Sequence, residues 1–325
     1  MKNLAGKTNV EKVTCCICLC FLILFSRASI SRGGELIIAL KSLEVQPYEI
    51  ALNSFKDALT GNGYDLNIEE YVLEEDHVKP KDSLLADIKR KNPRLIVTLG
   101  SAATSYVAEE IKEIPVVFCM VLNPTASGFV RSMDASGNNV TGASLDIPLR
   151  LQFKAIRSVI PSAKRIGVIY SPQETQIVIG EAKKAAEEIG LELIDIPITS
   201  EEEVPKALHS LDGRVDALWS VADSKVFSSA STEFILLHTL RNKIPFVGLS
   251  PAFVKAGALM ALAANYREVG TQCGGLAARV LSGDDPSTLP VTKPRTITMY
   301  LNLKTADIVG LKIPTDAMKG AVLFR

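Results

Sequence analysis

Pro93-Arg94-Leu95-Ile96-Val97-Thr98-Leu99-Gly100-Ser101-Ala102-Ala103 decides the fold class of this chain. Leu95–Leu99 runs apolar with only Thr98 interrupting it, and it lacks the polar alternation of a strand with one wet face. Such a run fits a strand buried on both sides. Gly100 breaks it, and small residues then open a helix over 102–112. Strand, glycine and helix in that order form the unit of a parallel sheet covered by helices. Upstream, residues 36–40 repeat the strand signal, and Ala51, Leu52, Phe55, Ala58 and Leu59 succeed them at helical spacing. A partly alternating strand at 66–73 and a helix marked by Leu84, Leu85 and Ile88 come next. Downstream lie strands at 115–121 and 139–144.

The pattern then starts again. Leu149, Phe153, Ile156 and Ile160 stripe a helix that Pro161 ends. A strand at 165–170 precedes a helix striped by Val178, Ala182, Ala185, Ala186 and Ile189, with Gly190 as its C-cap. Further strands lie at 191–198, 215–221, 245–249 and 259–263, with helices near 201–211 and 229–242. Ile114-Pro115-Val116-Val117-Phe118 in the first half echoes Ile244-Pro245-Phe246-Val247-Gly248 in the second, each with Pro opening a strand. The expected fold is α/β, with two doubly wound parallel-sheet lobes joined by a multi-strand hinge. Residues 32–145 form the first lobe and 146–265 the second. Residues 266–325 hold an amphipathic helix, a loop, a strand at 296–302 and a short helix. They are expected to return to the first lobe, so that the chain crosses near 144–148, 264–266 and 294–296.

Residues 1–31 read as a signal peptide. Lys2, Lys7 and Lys12 precede an apolar run over 13–25, and Ser26, Ala28, Ser29 and Ser31 form a small-residue exit. The run is shorter than the roughly 20 residues of a spanning helix, so an uncleaved anchor is the lesser reading. Lipidation is disfavoured because Cys15 precedes Cys16 and Leu19 precedes Cys20, where a small residue is wanted. Export to the periplasm or beyond is expected. Cleavage near Ser31 leaves 32 basic against 35 acidic residues and two cysteines, Cys119 and Cys273, read as buried free thiols.

Composition excludes several classes. The 325 residues carry 36 basic and 36 acidic side chains, so bulk charge does not point to nucleic acid. With 47% hydrophobic residues the chain is not disordered. Gly248-Leu249-Ser250-Pro251-Ala252 resembles a nucleophile elbow, but no His comes after Ser250 to act as its base. The chain contains neither a G-x-G-x-x-G fingerprint after the first strand nor a G-x-x-x-x-G-K phosphate loop. His77, His209 and His238 fit no zinc spacing and read as surface or helix-packing residues. No enzyme, cofactor or metal is expected.

Open α/β sheets bind ligands at the carboxyl ends of their strands. Those ends carry Ser42, Ser101, Thr104, Asn123, Tyr170, Ser171, Asp223, Ser224 and Ser250, with Tyr266 at the start of the long C-terminal helix. Most are small and neutral, which suits a binding rim better than a catalytic triad. The helix start over 100–104 offers N–H groups and hydroxyls for a carboxylate, unless Ser101 and Thr104 merely cap it. Asp223 offers a charged acceptor for an ammonium group, unless it caps the helix after it. Tyr170 and Tyr266 stand where an apolar side chain would lie. The expected ligand is an amino acid or similar zwitterion with an apolar or aromatic side chain.

Taken in order, several segments resemble the ABC-transporter substrate-binding proteins of the type I periplasmic fold, in the family with tryptophan- and phenylalanine-binding members. They are residues 93–103 and 114–118, Gly137-Asn138-Asn139-Val140-Thr141-Gly142, and Val215-Asp216-Ala217-Leu218-Trp219 with Asp223. Asn265-Tyr266-Arg267-Glu268-Val269-Gly270, Leu281-Ser282-Gly283 and Asn302-Leu303-Lys304-Thr305-Ala306 continue the match. The chain departs from the family at Ser101, at Asn123-Pro124 and at Asp223-Ser224, where the family has Thr, Asp-Pro and Asp-Asn. The resemblance implies an aromatic amino acid as ligand and an ABC permease as partner, with the chain a monomer. The alternative partner is a membrane sensor.

Overall fold

The structure, a computed structural model, describes residues 34–73 and 81–325. The expected signal peptide, its four cysteines and His77 lie outside the described residues. The first sheet consists of β1 (Glu35–Lys41), β2 (Leu66–Val72), β3 (Leu95–Leu99), β4 (Val116–Val121) and β5 (Val140–Ser144). They are all parallel in the order β2-β1-β3-β4-β5. Side chains of β1 alternate between two cores. Ile37 and Ala39 pack under α1 (Gln46–Gly61), and Ile38 and Leu40 under α2 (Lys81–Lys91) and α3 (Ser101–Ala108). Burial on both faces is why these strands are written without polar alternation. β2, at the edge, is half-exposed, and its sequence alternates.

The second lobe begins with α4 (Leu149–Val159), β6 (Arg165–Tyr170), α5 (Pro172–Glu187) and β7 (Glu192–Pro197). It continues through α6 (Val204–His209), β8 (Ala217–Trp219), α7 (Ser229–Arg241), β9 (Phe246–Gly248), α8 (Pro251–Ala256) and β10 (Met260–Ala264).

The C-terminal segment differs from expectation. Its helix α9 (Tyr266–Leu281) does return to the first lobe and packs along α1. Thr292 then bridges to Ala143 beside β5. After that the chain crosses back. β11 (Ile297–Asn302) pairs antiparallel with β10, and β12 (Val322–Phe324) pairs parallel with β11. The second sheet therefore reads β12-β11-β10-β9-β8-β6-β7. Residues 297–325, including α10 (Leu303–Val309) and α11 (Thr315–Met318), belong to the second lobe. The physical reason is an open edge: β10 has β9 on one side only, and β11 buries Leu301 in that lobe's core. The connections between the lobes run between β5 and α4, between β10 and α9, and just before β11.

Two glycines let α9 lie against α1. A Cβ at Gly270 would run into the Ala51 carbonyl, and one at Gly274 into Ala58 and the Phe55 carbonyl. Gly270→Ala is expected to cost about 2 kcal/mol through overpacking against rigid backbone, read as a lower urea midpoint at unchanged slope. Cys119 on β4 and Cys273 on α9 are buried and unbridged, and the Cys273 thiol donates to the Phe118 carbonyl at 3.3 Å. Burial pushes the Cys273 thiol well above its ordinary pKa.

Candidate functional site

β4 does not end as a plain strand. Its register slips between Cys119 and Val121, and the extra residue, Met120, is buried with φ 63°. Such a bulge bends the strand and re-aims the chain beyond it. Asn123, just past the bulge, is also left-handed at φ 51°, a conformation Asn tolerates better than most residues. The Asn123 N–H donates to Asp146 Oδ1 at 2.8 Å, joining the end of β4 to the crossing after β5.

These segments form one wall of a cavity of about 580 Å³ between the lobes. The first lobe contributes 122–126 and the loop 131–133. The second contributes the strand ends 219–222 and 247–249, and Ile177, Val178 and Glu181 of α5. The crossings contribute 145–149, 263–264, Tyr266 and Lys293. The cavity thus lies beside the hinge, where strands of both sheets end.

Its charges come in opposite pairs. Asp146 and Glu181 are the acids; Arg131 and Lys293 are the bases. Asp146 is half-buried. Burial pushes its carboxyl above the usual carboxylate range, although the Asn123 N–H, the Ser144 hydroxyl and the Lys293 charge all favour ionisation. Arg131 is placed by a glycine: its side chain packs over Gly137, at φ 75°, where any Cβ would displace it. The apolar wall includes Trp219, whose indole N–H donates to Gln152 Oε1 at 2.9 Å and whose ring lies 5.2 Å from that of Phe153. Tyr266 is half-buried, with its phenol pushed up in pKa by burial. Ile177 is 64% exposed at the cavity edge.

Of the residues expected at the rim, Asn123 and Tyr266 line this cavity. The others lie outside its wall, and several have local partners, although the buried Ser171 hydroxyl has none. Ser42 Oγ accepts the Ala103 N–H at 2.9 Å, and the Tyr48 hydroxyl stands over Gly100. Thr104 is fully buried, its hydroxyl shared between the Gly100 carbonyl and Thr98. Ser101 is exposed at the same helix start, outside the cavity wall. At the helix start over 100–104 the Ala103 N–H is thus already taken, and the segment lies outside the cavity wall.

Asp223 also lies outside the cavity wall. It is buried, and Oδ2 accepts the Ser171 N–H at 2.6 Å and the Thr175 hydroxyl at 2.8 Å. Oδ1 accepts the Lys225 N–H at 3.1 Å. Those donors occupy the carboxylate as a brace between the ends of β6 and β8. Ser224 donates through its N–H and its hydroxyl to Glu174. The Tyr170 hydroxyl donates to Gln176 at 3.2 Å, and its ring joins the second-lobe core. Ser250 is the N-cap residue of α8. Among the described residues no histidine lines the cavity.

Asp146, Glu181, Arg131, Lys293, Trp219 and Gln152 were not expected at the site. The strand-end rule reaches Asp146 when β5 is included. Trp219 reads as a core residue, and it is one, yet it also faces the cavity. Arg131 and Lys293 sit on loops that carry no local signal.

Known proteins share this architecture. The family described as ABC transporter substrate binding protein matches residues 41–322. A protein named tyrosine-binding protein, from Clostridioides difficile (strain R20291), is 28% identical over 228 residues. That match covers 69% of this chain and 66% of the relative, just under two thirds of the relative's length. A domain from Streptococcus pneumonia, solved in complex with L-Trp, superposes at a TM-score of 0.73 with 23% identity, covering 90% of this chain and all of the other. A ligand-free, open substrate-binding protein with adhesive properties from Clostridium difficile also gives 0.73 at 23% identity, over 90% of this chain and 99% of its own. At those identities the solved structures establish the fold, the two-lobed type I periplasmic architecture that the strand orders describe.

Proposed function

Because the chain belongs to the ABC transporter substrate-binding protein family, whose members bind solutes rather than transform them, we propose that it is exported, captures an amino acid with an apolar or aromatic side chain, and delivers it as a monomer to an ABC permease. One observation carries the ligand class: a cavity between the lobes with acids and bases facing an apolar aromatic wall. A free amino acid presents both charges and one side chain. Asp146 takes the ammonium, since a half-buried carboxylate is less screened than the exposed Glu181. Arg131 and Lys293 take the carboxylate, with Arg131 offering the bidentate fork. Trp219, Tyr266 and Ile177 receive the side chain, and Asn123 holds Asp146 in place. The volume lies within the range of about 300–1,000 Å³ common to small-molecule sites. The names of the tyrosine-binding relative and the L-Trp complex support the aromatic preference.

Ligand touching both lobes favours the form in which both touch it, so closure is driven by differential affinity. The exposed Ile177 is then covered. Permease recognition relies on the same shape change, since only the closed form holds cargo.

A thermal-shift screen of the amino acids followed by calorimetry tests the reading. The expected result is a melting rise with Trp, Tyr or Phe and one site per chain. Silence with every amino acid would sink the ligand class. Small-angle scattering is expected to show a smaller radius of gyration with the amino acid that binds; an unchanged radius at verified saturation would count against closure.

A further inference from the structure

Two of the three histidines in the sequence meet in the second lobe. His209 is the last residue of α6, and the turn after it, with Gly213 at φ 67°, brings Asp212 back beneath it. His209 Nδ1 lies 3.2 Å from Asp212 Oδ2. α7 packs against α6 and carries His238, whose Nε2 lies 2.8 Å from the other oxygen, Oδ1. One carboxylate therefore bridges two imidazoles, whose rings meet edge to face with centroids 4.7 Å apart. Phe234, one turn before His238, packs 6.0 Å from its ring. None of the three polar residues lines the cavity between the lobes.

We propose that His209, Asp212 and His238 form a binding site for a borderline divalent transition ion, Zn2+ first. The ligand atoms lie within 4.8 Å of one another. Zinc bonds of about 2.0–2.2 Å in tetrahedral array need ligand atoms about 3.3–3.6 Å apart. The required contraction falls on His209, whose side chain is 65% exposed, while His238 at 5% holds position. Asp212, at 35%, lies between them, so the site grades from a fixed ligand to one open to solvent. An ion enters from the His209 side, displaces the two His–Asp hydrogen bonds and keeps water in its remaining position.

The donor set selects the ion. Two imidazoles and one carboxylate suit Zn2+, Ni2+ or Cu2+, whereas Mg2+ and Ca2+ want oxygen ligands throughout. Bound metal would clamp α6 to α7.

The test uses the full exported chain, purified without a histidine tag. Titration with ZnCl2 against a chromophoric chelator is expected to find one ion per chain, and Co2+ at this site is expected to give the d–d absorption of low coordination. His209→Ala removes an exposed ring and leaves the metal-free melting temperature nearly unchanged. It is expected to weaken Zn2+ binding about tenfold or more, with amino-acid binding at the cavity unaltered. Asp212→Asn and His238→Gln are expected to act in the same direction; if His238→Gln fails to fold, His209→Ala decides. The proposal is overturned if the wild-type chain binds no Zn2+ below about 100 µM, or if His209→Ala binds it as tightly as wild type. It is equally overturned if Ca2+ competes as well as Ni2+.

Discussion

Asp146→Asn is expected to weaken amino-acid binding by about 2–5 kcal/mol, roughly 30-fold to several thousandfold, while leaving the empty protein folded and nearly as stable. The asparagine oxygen keeps the bond from the Asn123 N–H, which now runs to Asp146 Oδ1 at 2.8 Å, so the turn at the end of β4 is preserved. The change removes the negative charge from a half-buried wall. There an ammonium has lost part of its water and nothing neutral replaces the carboxylate. Glu181→Gln is the control. Glu181 lines the same cavity but is exposed, so its loss should cost no more than about 1 kcal/mol. The pH dependence has a definite sign. Burial raises the carboxyl of Asp146 in the empty protein, and only the ionised form attracts the ammonium. Affinity should therefore fall with decreasing pH, beginning above the pH at which an ordinary aspartate protonates. Asp146→Asn should abolish that fall. Calorimetry of both proteins across about pH 4–7 reads both effects; equal affinities at neutral pH would remove Asp146 from the site.

The second large effect is on folding. Asp223→Ala takes the acceptor from the buried Ser171 N–H and from the Lys225 N–H, and leaves the Thr175 hydroxyl only its 3.2 Å bond to the Ser171 carbonyl. At about 1–3 kcal/mol for a buried donor left unpaired, the substitution should destabilise the empty protein by about 2 kcal/mol. Urea unfolding without ligand measures it. Asp223→Asn retains one acceptor oxygen and should fall between wild type and alanine. A variant that folds as stably as wild type but no longer binds amino acid would instead return Asp223 to the ligand.

Much of the architecture is legible residue by residue. Leu95–Leu99 and Val116–Val121 are buried along their whole length, and a strand covered on both faces has no reason to alternate. The helices that flank them show stripes of apolar side chains for the opposite reason, since each buries only one face. The division of the C-terminal segment is not legible. Residues 297–302 read correctly as a strand, but the sequence of a strand does not say which sheet it will join. That depended on the open edge of β10, which the chain forms well before it reaches β11.

The site divides along the same line. Asn123 is readable because a βα loop at a strand's carboxyl end is where such sheets bind ligands. Asp223 satisfies the same rule and yet turns inward, because Ser171 and Thr175 lie near enough to claim one of its oxygens and Lys225 the other. Trp219 could be assigned to the core from its strand, but not to the cavity it also faces. His209 and Asp212 are close neighbours along the chain; His238, on a later helix, joins them only because α7 packs against α6.

The sequence by itself determined the alternation of strands and helices, the two-lobed α/β class and the family, because burial pattern and local capping are written in short windows. The tertiary structure alone decided which lobe holds β11 and β12, which carboxylate faces the cavity and which histidines meet. Each of those depends on competition among groups far apart in the chain for the same edge, donor or space, and no short window contains all the competitors.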